Sequence, residues 1–374
     1  MRKFRIYFIL LVLVSILVGC TETNILDRVG LTTLVGYDVG TEEKISTTAV
    51  VREINPEFQS NVEVITTENE TSKGNRMKAN RKLSKKITVG QMRVVLFGEE
   101  VAKGDLHFYI DSLLENPSVS NGLYLAVVEG ETSELLQHEY KNIDDIGQHI
   151  YRLMEQNIKN EHMISSTLHE IAHDYYMKGK DIAMPIINRD EEFVELTGVA
   201  LFHEGKMVSA FPVEDSFYLK IMRDNFKAGI FETILQKEDI PPALMKDTIT
   251  EMPVAFDAIR SKRTLKLVDP ATPEFDVQLK IKARLLEVHP DINTGDPKVI
   301  EALESAVSKN LSKELTRIVA QSQSVQSDIF GFGDKYRSSV RNSELTKDKW
   351  HEMYKNMKIN VKVKFEILRD GVFE

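Results

Sequence analysis

Hydrophobic positions along the chain fall first into continuous runs. Residues 93–98 and 123–128 are two such runs, and between them Leu106, Tyr109, Ile110, Leu113 and Leu114 recur at helical spacing before Pro117. Continuous apolar strands flanking an amphipathic helix predict a right-handed βαβ unit whose parallel strands are covered on both faces. Helical patterns follow over 144–157 and 161–177, ending at Gly179 and Pro185.

Farther on the pattern changes to alternation. Residues 193–203 and 207–211 flank Glu204-Gly205-Lys206, which predicts a hairpin opening a second region near Phe193. Phe275, Val277, Leu279, Ile281, Ala283 and Leu285 alternate with Asp276, Gln278, Lys280, Lys282 and Arg284, the period of a half-buried strand. Asp296-Pro297 supplies an N-cap with proline at the first helical position. Ile300, Leu303, Val307, Leu311, Leu315 and Ile318 then mark one face of a long helix. Ile359, Val361, Val363, Phe365 and Ile367 close the chain as another amphipathic strand. The expectation is a multi-domain α+β protein, its mixed β-sheets packed with helices behind a lipidated N-terminus. The expected parts are 1–19, a signal peptide; 20–190, an N-terminal α/β region with room for two subdomains; and 191–374, a C-terminal α+β domain.

The lipidated N-terminus is read from the first twenty residues. Arg2, Lys3 and Arg5 precede an apolar run over 6–18, followed by Leu17-Val18-Gly19-Cys20. The run is shorter than the roughly 20 residues that span a bilayer and suits a signal peptide, with a lipobox at its end. Cleavage before Cys20 would leave its thiol to carry diacylglycerol, with a further acyl chain on its nitrogen; no other cofactor is expected. Cys20 is the sole cysteine, so no intrachain disulfide forms. The net charge of −9 becomes −12 once the three N-terminal cations leave with the signal segment. Such a body does not suit nucleic acid and gains nothing from anionic headgroups, so attachment falls to the acyl chains.

Several motifs carry possible chemistry. His169-Glu170-Ile171-Ala172-His173 fits H-E-x-x-H, two imidazoles one helical turn apart with a glutamate base, the pattern of a zinc-dependent hydrolase. His169 and His173 are thus the candidate metal ligands. Tyr176 stands where the longer motif requires glycine, and no histidine follows until His203. The same residues fit an ordinary amphipathic helix with Ile164, Leu168, Ile171 and Tyr175 inward. Lys73, Arg76, Lys78, Arg81, Lys82, Lys85 and Lys86 crowd a stretch without acids, either a patch for lipid headgroups or an acidic partner or the solvated face of a helix. No Walker A lysine, G-x-S-x-G elbow or available cysteine nucleophile is present, so no catalytic residue is assigned.

Several further segments stand out in order along the chain. They are Leu26-Asp27-Arg28 leading to Val35-Gly36-Tyr37-Asp38, then Val95-Leu96-Phe97-Gly98-Glu99-Glu100-Val101-Ala102-Lys103-Gly104. Thr197-Gly198-Val199-Ala200-Leu201-Phe202 follows, and then Ser327-Asp328-Ile329-Phe330-Gly331-Phe332-Gly333 ahead of Trp350. In their order and spacing these segments resemble the C-subunit lipoproteins of bacterial spore germinant receptors, the Ger(x)C family. The resemblance implies a non-enzymatic subunit, lipid-anchored on the outer face of the inner spore membrane beside A-type and B-type integral membrane subunits. Asp328, Phe330, Gly331, Phe332 and Gly333 form either a docking loop for a partner or a turn that shapes the fold. A solute-binding lipoprotein of a transporter is the competing non-enzymatic reading, and it requires a ligand cleft between two lobes.

Overall fold

The computed structural model describes residues 29–53, 61–242, 244 and 251–368. Nine strands form the larger sheet: β1 (Val29–Val39), β2 (Ile45–Glu53), β3 (Asn61–Asn69), β4 (Lys86–Thr88), β5 (Val94–Gly98), β6 (Tyr124–Val128), β7 (Ala183–Asp190), β8 (Phe193–His203) and β9 (Lys206–Pro212). Their order is β3-β2-β1-β5-β6-β7-β8-β9, with β4 alongside β1. The centre, β1-β5-β6-β7, is parallel, and both flanks are antiparallel.

The expected βαβ unit is present, β5 and β6 being parallel neighbours joined through α2 (Glu99–Lys103) and α3 (His107–Leu114). Its strands are continuously apolar because both faces are covered. Val95 and Phe97 enter one core with Leu125 and Val127. Val94 and Leu96 enter the other with Ala126 and Val128. The first face carries α1 (Ser72–Asn80), α3 and α6 (Leu168–Tyr176); the second carries α4 (Thr132–Gln137) and α5 (Ile146–Lys159).

The helix expected from 161 begins only at Leu168. Ser166 and Thr167 instead bridge to the start of β6 in antiparallel fashion: Leu125 N–H donates to the Ser166 carbonyl and Leu168 N–H to that of Leu123, both at 2.9 Å. Thr167 then caps α6 in a reciprocal box with Glu170. Serine and threonine favour caps over helix interiors, which is why the boundary falls there.

The hairpin forms as expected around Glu204 and Gly205, whose φ values of 48° and 82° match a two-residue turn with both central residues left-handed. It joins the larger sheet, however, since β8 pairs with β7 over residues 183–190. The expected border at 190/191 therefore runs between two paired strands of one sheet.

The smaller sheet has the order β10 (Ile230–Gln236), β11 (Glu251–Asp269), β12 (Glu274–Glu287), β13 (Lys358–Leu368), with only β12 and β13 parallel. Its inner face, including the wholly buried Phe275 and Ala283, packs on α8 (Pro297–Ser324), whose Leu303, Val307, Leu311, Leu315 and Ile318 are all fully buried. Val199 and Leu201 of β8 belong to this same core, while Ala200 and Phe202 face the other way, so one strand stitches two cores together. The remaining helices are α7 (Ser216–Arg223), α9 (Phe332–Ser339) and α10 (Lys347–Lys355).

Strand β13 lies at a sheet edge, and α8 covers its free amides. Val363 N–H donates to Ser312 Oγ at 3.2 Å, Phe365 N–H to Ser308 Oγ at 3.0 Å and Ile367 N–H to Glu304 Oε1 at 2.7 Å. Four helical residues rise about 6 Å and two strand residues about 6.6 Å, so the steps match and the edge is blunted against foreign strands.

Candidate functional site

Helix α8 ends at Ser324, and Gln326, at φ 54°, turns the chain into the Ser327 to Gly333 segment. Ser327 fixes the start: its hydroxyl donates to the Phe202 carbonyl at 2.6 Å, and its N–H donates to that of Ser322 at 3.0 Å. The following Asp328 is fully buried. Its Oδ1 accepts from the N–H groups of Phe330 (3.2 Å), Gly331 (2.9 Å) and Phe332 (3.2 Å). Its Oδ2 accepts from Gly333 N–H (2.8 Å) and the Trp350 indole N–H (3.0 Å). The loop is a nest of amides wound around one carboxylate, opening α9. Burial pushes the Asp328 carboxyl up to about 7, with the charge of Asp181 adding to this and the N–H groups of Gly333, Phe332 and Gly331 opposing it.

A second buried carboxylate meets the first. Asp328 N–H donates to Asp181 Oδ2 at 2.8 Å, and Asp181 N–H returns a bond to the Asp328 carbonyl at 2.9 Å. His351 Nε2 lies 3.0 and 3.2 Å from the two Asp181 oxygens. Burial lowers the His351 pKa, but the hydrogen bond and charge of Asp181 outweigh it, leaving the imidazole above its ordinary range. Gly179, at φ 101°, and Gly333 bring the two backbones together: a Cβ on Gly333 would sit 2.4 Å from Gly179 Cα and 2.5 Å from Trp350 Cε2. Only glycine permits that approach. Arg263 of β11 donates to the carbonyls of Met222 and Phe330, tying the smaller sheet to the loop.

Burial favours the fold-shaping turn over the docking loop for these residues. Asp328, Phe330 and Phe332 are at most 2% exposed, and Gly333 is buried too, so four of the five candidates face the interior of their own chain. Only Gly331 is half-exposed. The segment is a seam between the two sheets. Trp350, also fully buried, is core. Asp181 and His351 were not legible as members, because they lie 147 and 170 residues from their partners along the chain with no local pattern to mark them.

Two earlier motifs acquire a similar structural use. Asp38, at the end of β1, accepts from the Thr132 N–H and hydroxyl (both 2.7 Å) and the Ser133 N–H (3.0 Å), which holds the start of α4 on the sheet. Gly36 and Gly98 leave the space that Thr132 and Asp38 occupy. In the H-E-x-x-H segment, Glu170 accepts from Ser165 Oγ (2.5 Å), Thr167 N–H (2.9 Å) and Thr167 Oγ1 (2.7 Å). His169 and His173 are exposed, and His173 Nδ1 pairs with Asp174 at 3.1 Å. Neither belongs to the converging group of potential metal ligands found among the described residues, which is His203, Glu204 and His351. Lys73, Arg76, Lys78, Arg81, Lys82 and Lys86 are exposed on and after α1, whose buried side is Asn75 and Ala79. Cys20 lies outside the described residues.

Comparison with known proteins places this geometry. Residues 22–189 match a family described as the spore germination protein N-terminal domain, and 197–371 match the spore germination B3/GerAC-like C-terminal family. The chain belongs to the Ger(x)C family of germinant-receptor proteins. It is similar to spore germination protein GerQC of Bacillus cereus, 25% identical over 98% of this chain and 99% of the relative. It also resembles the putative spore germination protein YfkR of Bacillus subtilis (strain 168), 20% identical over 78% of this chain and 74% of that one. The crystal structure of the GerBC protein has the same fold, with a TM-score of 0.54 at 13% identity, covering 90% of this chain and 97% of that one. The first family segment ends at 189 in β7 and the second begins at 197 in β8, and these two strands pair in one sheet.

Proposed function

We propose that this chain is the lipid-anchored subunit of a nutrient germinant receptor, cut before Cys20 and held on the outer face of the inner spore membrane. There it acts with an A-type and a B-type integral membrane subunit to trigger germination, without catalysing a reaction. The observation that carries this reading is the succession of a lipobox ending at Cys20 and a family match beginning at residue 22 and continuing, through its second segment, to 371. Among the described residues no helix is long and apolar enough to cross a membrane.

A non-enzymatic role fits the use of the strongest candidate base, Glu170, as a helix cap with three donors on its carboxylate. The transporter reading needs a cleft between lobes, whereas the seam is filled by Asp328, Trp350 and Phe332. The test is nutrient-triggered loss of optical density in spores lacking this gene and its sister receptors, with and without the gene restored together with its receptor partners. A response that returns only with the intact gene supports the proposal; responses indifferent to it overturn the proposal. Cys20→Ala should move the protein from the membrane to the soluble fraction or leave it unprocessed.

A further inference from the structure

A cluster of potential metal ligands forms at the β8–β9 turn. A ring nitrogen of His203, a ring nitrogen of His351 and a carboxylate oxygen of Glu204 lie within 4.8 Å of one another. His203 ends β8 and Glu204 begins the tight turn, at φ 48°, so both are fixed by the hairpin; His351 comes from α10. The two imidazoles are 4.2 Å apart between centroids and tilted by 54°.

Each histidine is held by a partner on one ring nitrogen. His203 Nδ1 is 2.9 Å from the Gln326 carbonyl, which only accepts, so Nδ1 carries the proton and Nε2 keeps its lone pair. His351 Nε2 faces the Asp181 carboxylate, which likewise directs the proton there and leaves Nδ1 as the free position. That Nδ1 is buried in a residue only 5% exposed, has no hydrogen-bond partner, and points toward Glu204 Oε1 at 3.8 Å. A carbonyl and a carboxylate behind the two imidazoles are the supports that metal-ligating histidines ordinarily have.

We infer that His203, Glu204 and His351 bind one divalent transition metal ion, with zinc the ion that best suits two imidazoles, one carboxylate and a fourth position open to water. Glu204 is 46% exposed, so an ion has a path in from solvent. The bound ion would clip the turn of the larger sheet to α10 beside the smaller one. It is distinct from the H-E-x-x-H segment, which lies on α6.

The experiment uses the full mature chain, stripped with chelator and titrated with zinc chloride by calorimetry, with cobalt(II) absorption as a second readout of coordination. The expected result is one equivalent bound, a rise in melting temperature, and affinity reduced at least about tenfold in Glu204→Gln and in His203→Asn. A His169→Ala/His173→Ala double variant should bind as the native protein does. Glu204 is at the surface, so its variant remains folded even if changes at His351 do not. Absence of stoichiometric binding overturns the inference, and so does binding that survives both Glu204→Gln and His203→Asn.

Discussion

Trp350 donates its indole N–H to the Asp328 carboxylate at 3.0 Å, and both residues are completely buried. The bond links α10 to the loop that ends α8, and it is the one side-chain donor among five donors to that carboxylate. A buried anion is tolerable only when so satisfied.

Trp350→Phe removes that donor while keeping an aromatic ring. It should cost about 1.5–3 kcal/mol, the range for hydrogen bonds to charged groups, with some packing loss in addition. Asp328→Ala should cost more, since it strips the acceptor from all five donors. Denaturant midpoints at constant slope measure both; a Trp350→Phe midpoint equal to native would show that the indole bond contributes nothing.

The glycines of the loop should differ sharply. A Cβ on Gly333 meets Gly179 Cα at 2.4 Å, a backbone atom that cannot yield, so Gly333→Ala should part the seam and destabilise by about 3 kcal/mol or more. At Gly331, φ is +78° and the nearest atom is the Lys180 side chain at 3.5 Å. Gly331→Ala should therefore cost only the strain of the left-handed conformation, about 1 kcal/mol. Thermal unfolding of the two variants in parallel decides it.

Removing the hydroxyls that cover β13 should expose its edge. Ser308→Ala with Ser312→Ala leaves the Phe365 and Val363 amides unpaired, at about 1 kcal/mol each. Hydrogen exchange should accelerate at those two amides specifically, and the variant should aggregate more readily on heating.

The cap of α6 sets an acid-dependent term. Burial raises the Glu170 carboxyl, but bonds from Ser165 and Thr167 and the charge of Arg223 outweigh it, leaving it below the ordinary 4.5. A depressed carboxylate contributes stability above its unfolded value that is lost as pH falls through the folded one. Glu170→Gln should thus be less stable than native at pH 7, and the gap should close as pH falls below the ordinary 4.5 and through the lowered folded value. A gap independent of pH would assign the loss to shape rather than charge.

What the sequence by itself determined is whatever depends on neighbours within a few residues. The alternation over 275–285 and 359–367, the apolar face of 300–318, the Asp296-Pro297 start and the Glu204-Gly205 turn each formed as read, because periodicity and cap chemistry act locally. The ordered family segments likewise contained Asp38 and Asp328. Only the tertiary structure decided what those residues do. A Gly-rich segment with an aspartate reads as an exposed turn, and its burial depends on Trp350 and Asp181, brought there by α10 and the strand-leading loop. The pairing of β8 with β7, which carries one sheet across the expected border, is likewise a choice of partner. Long-range contacts of this kind are set by which surfaces remain uncovered once the local elements exist, and no window of the sequence contains that information.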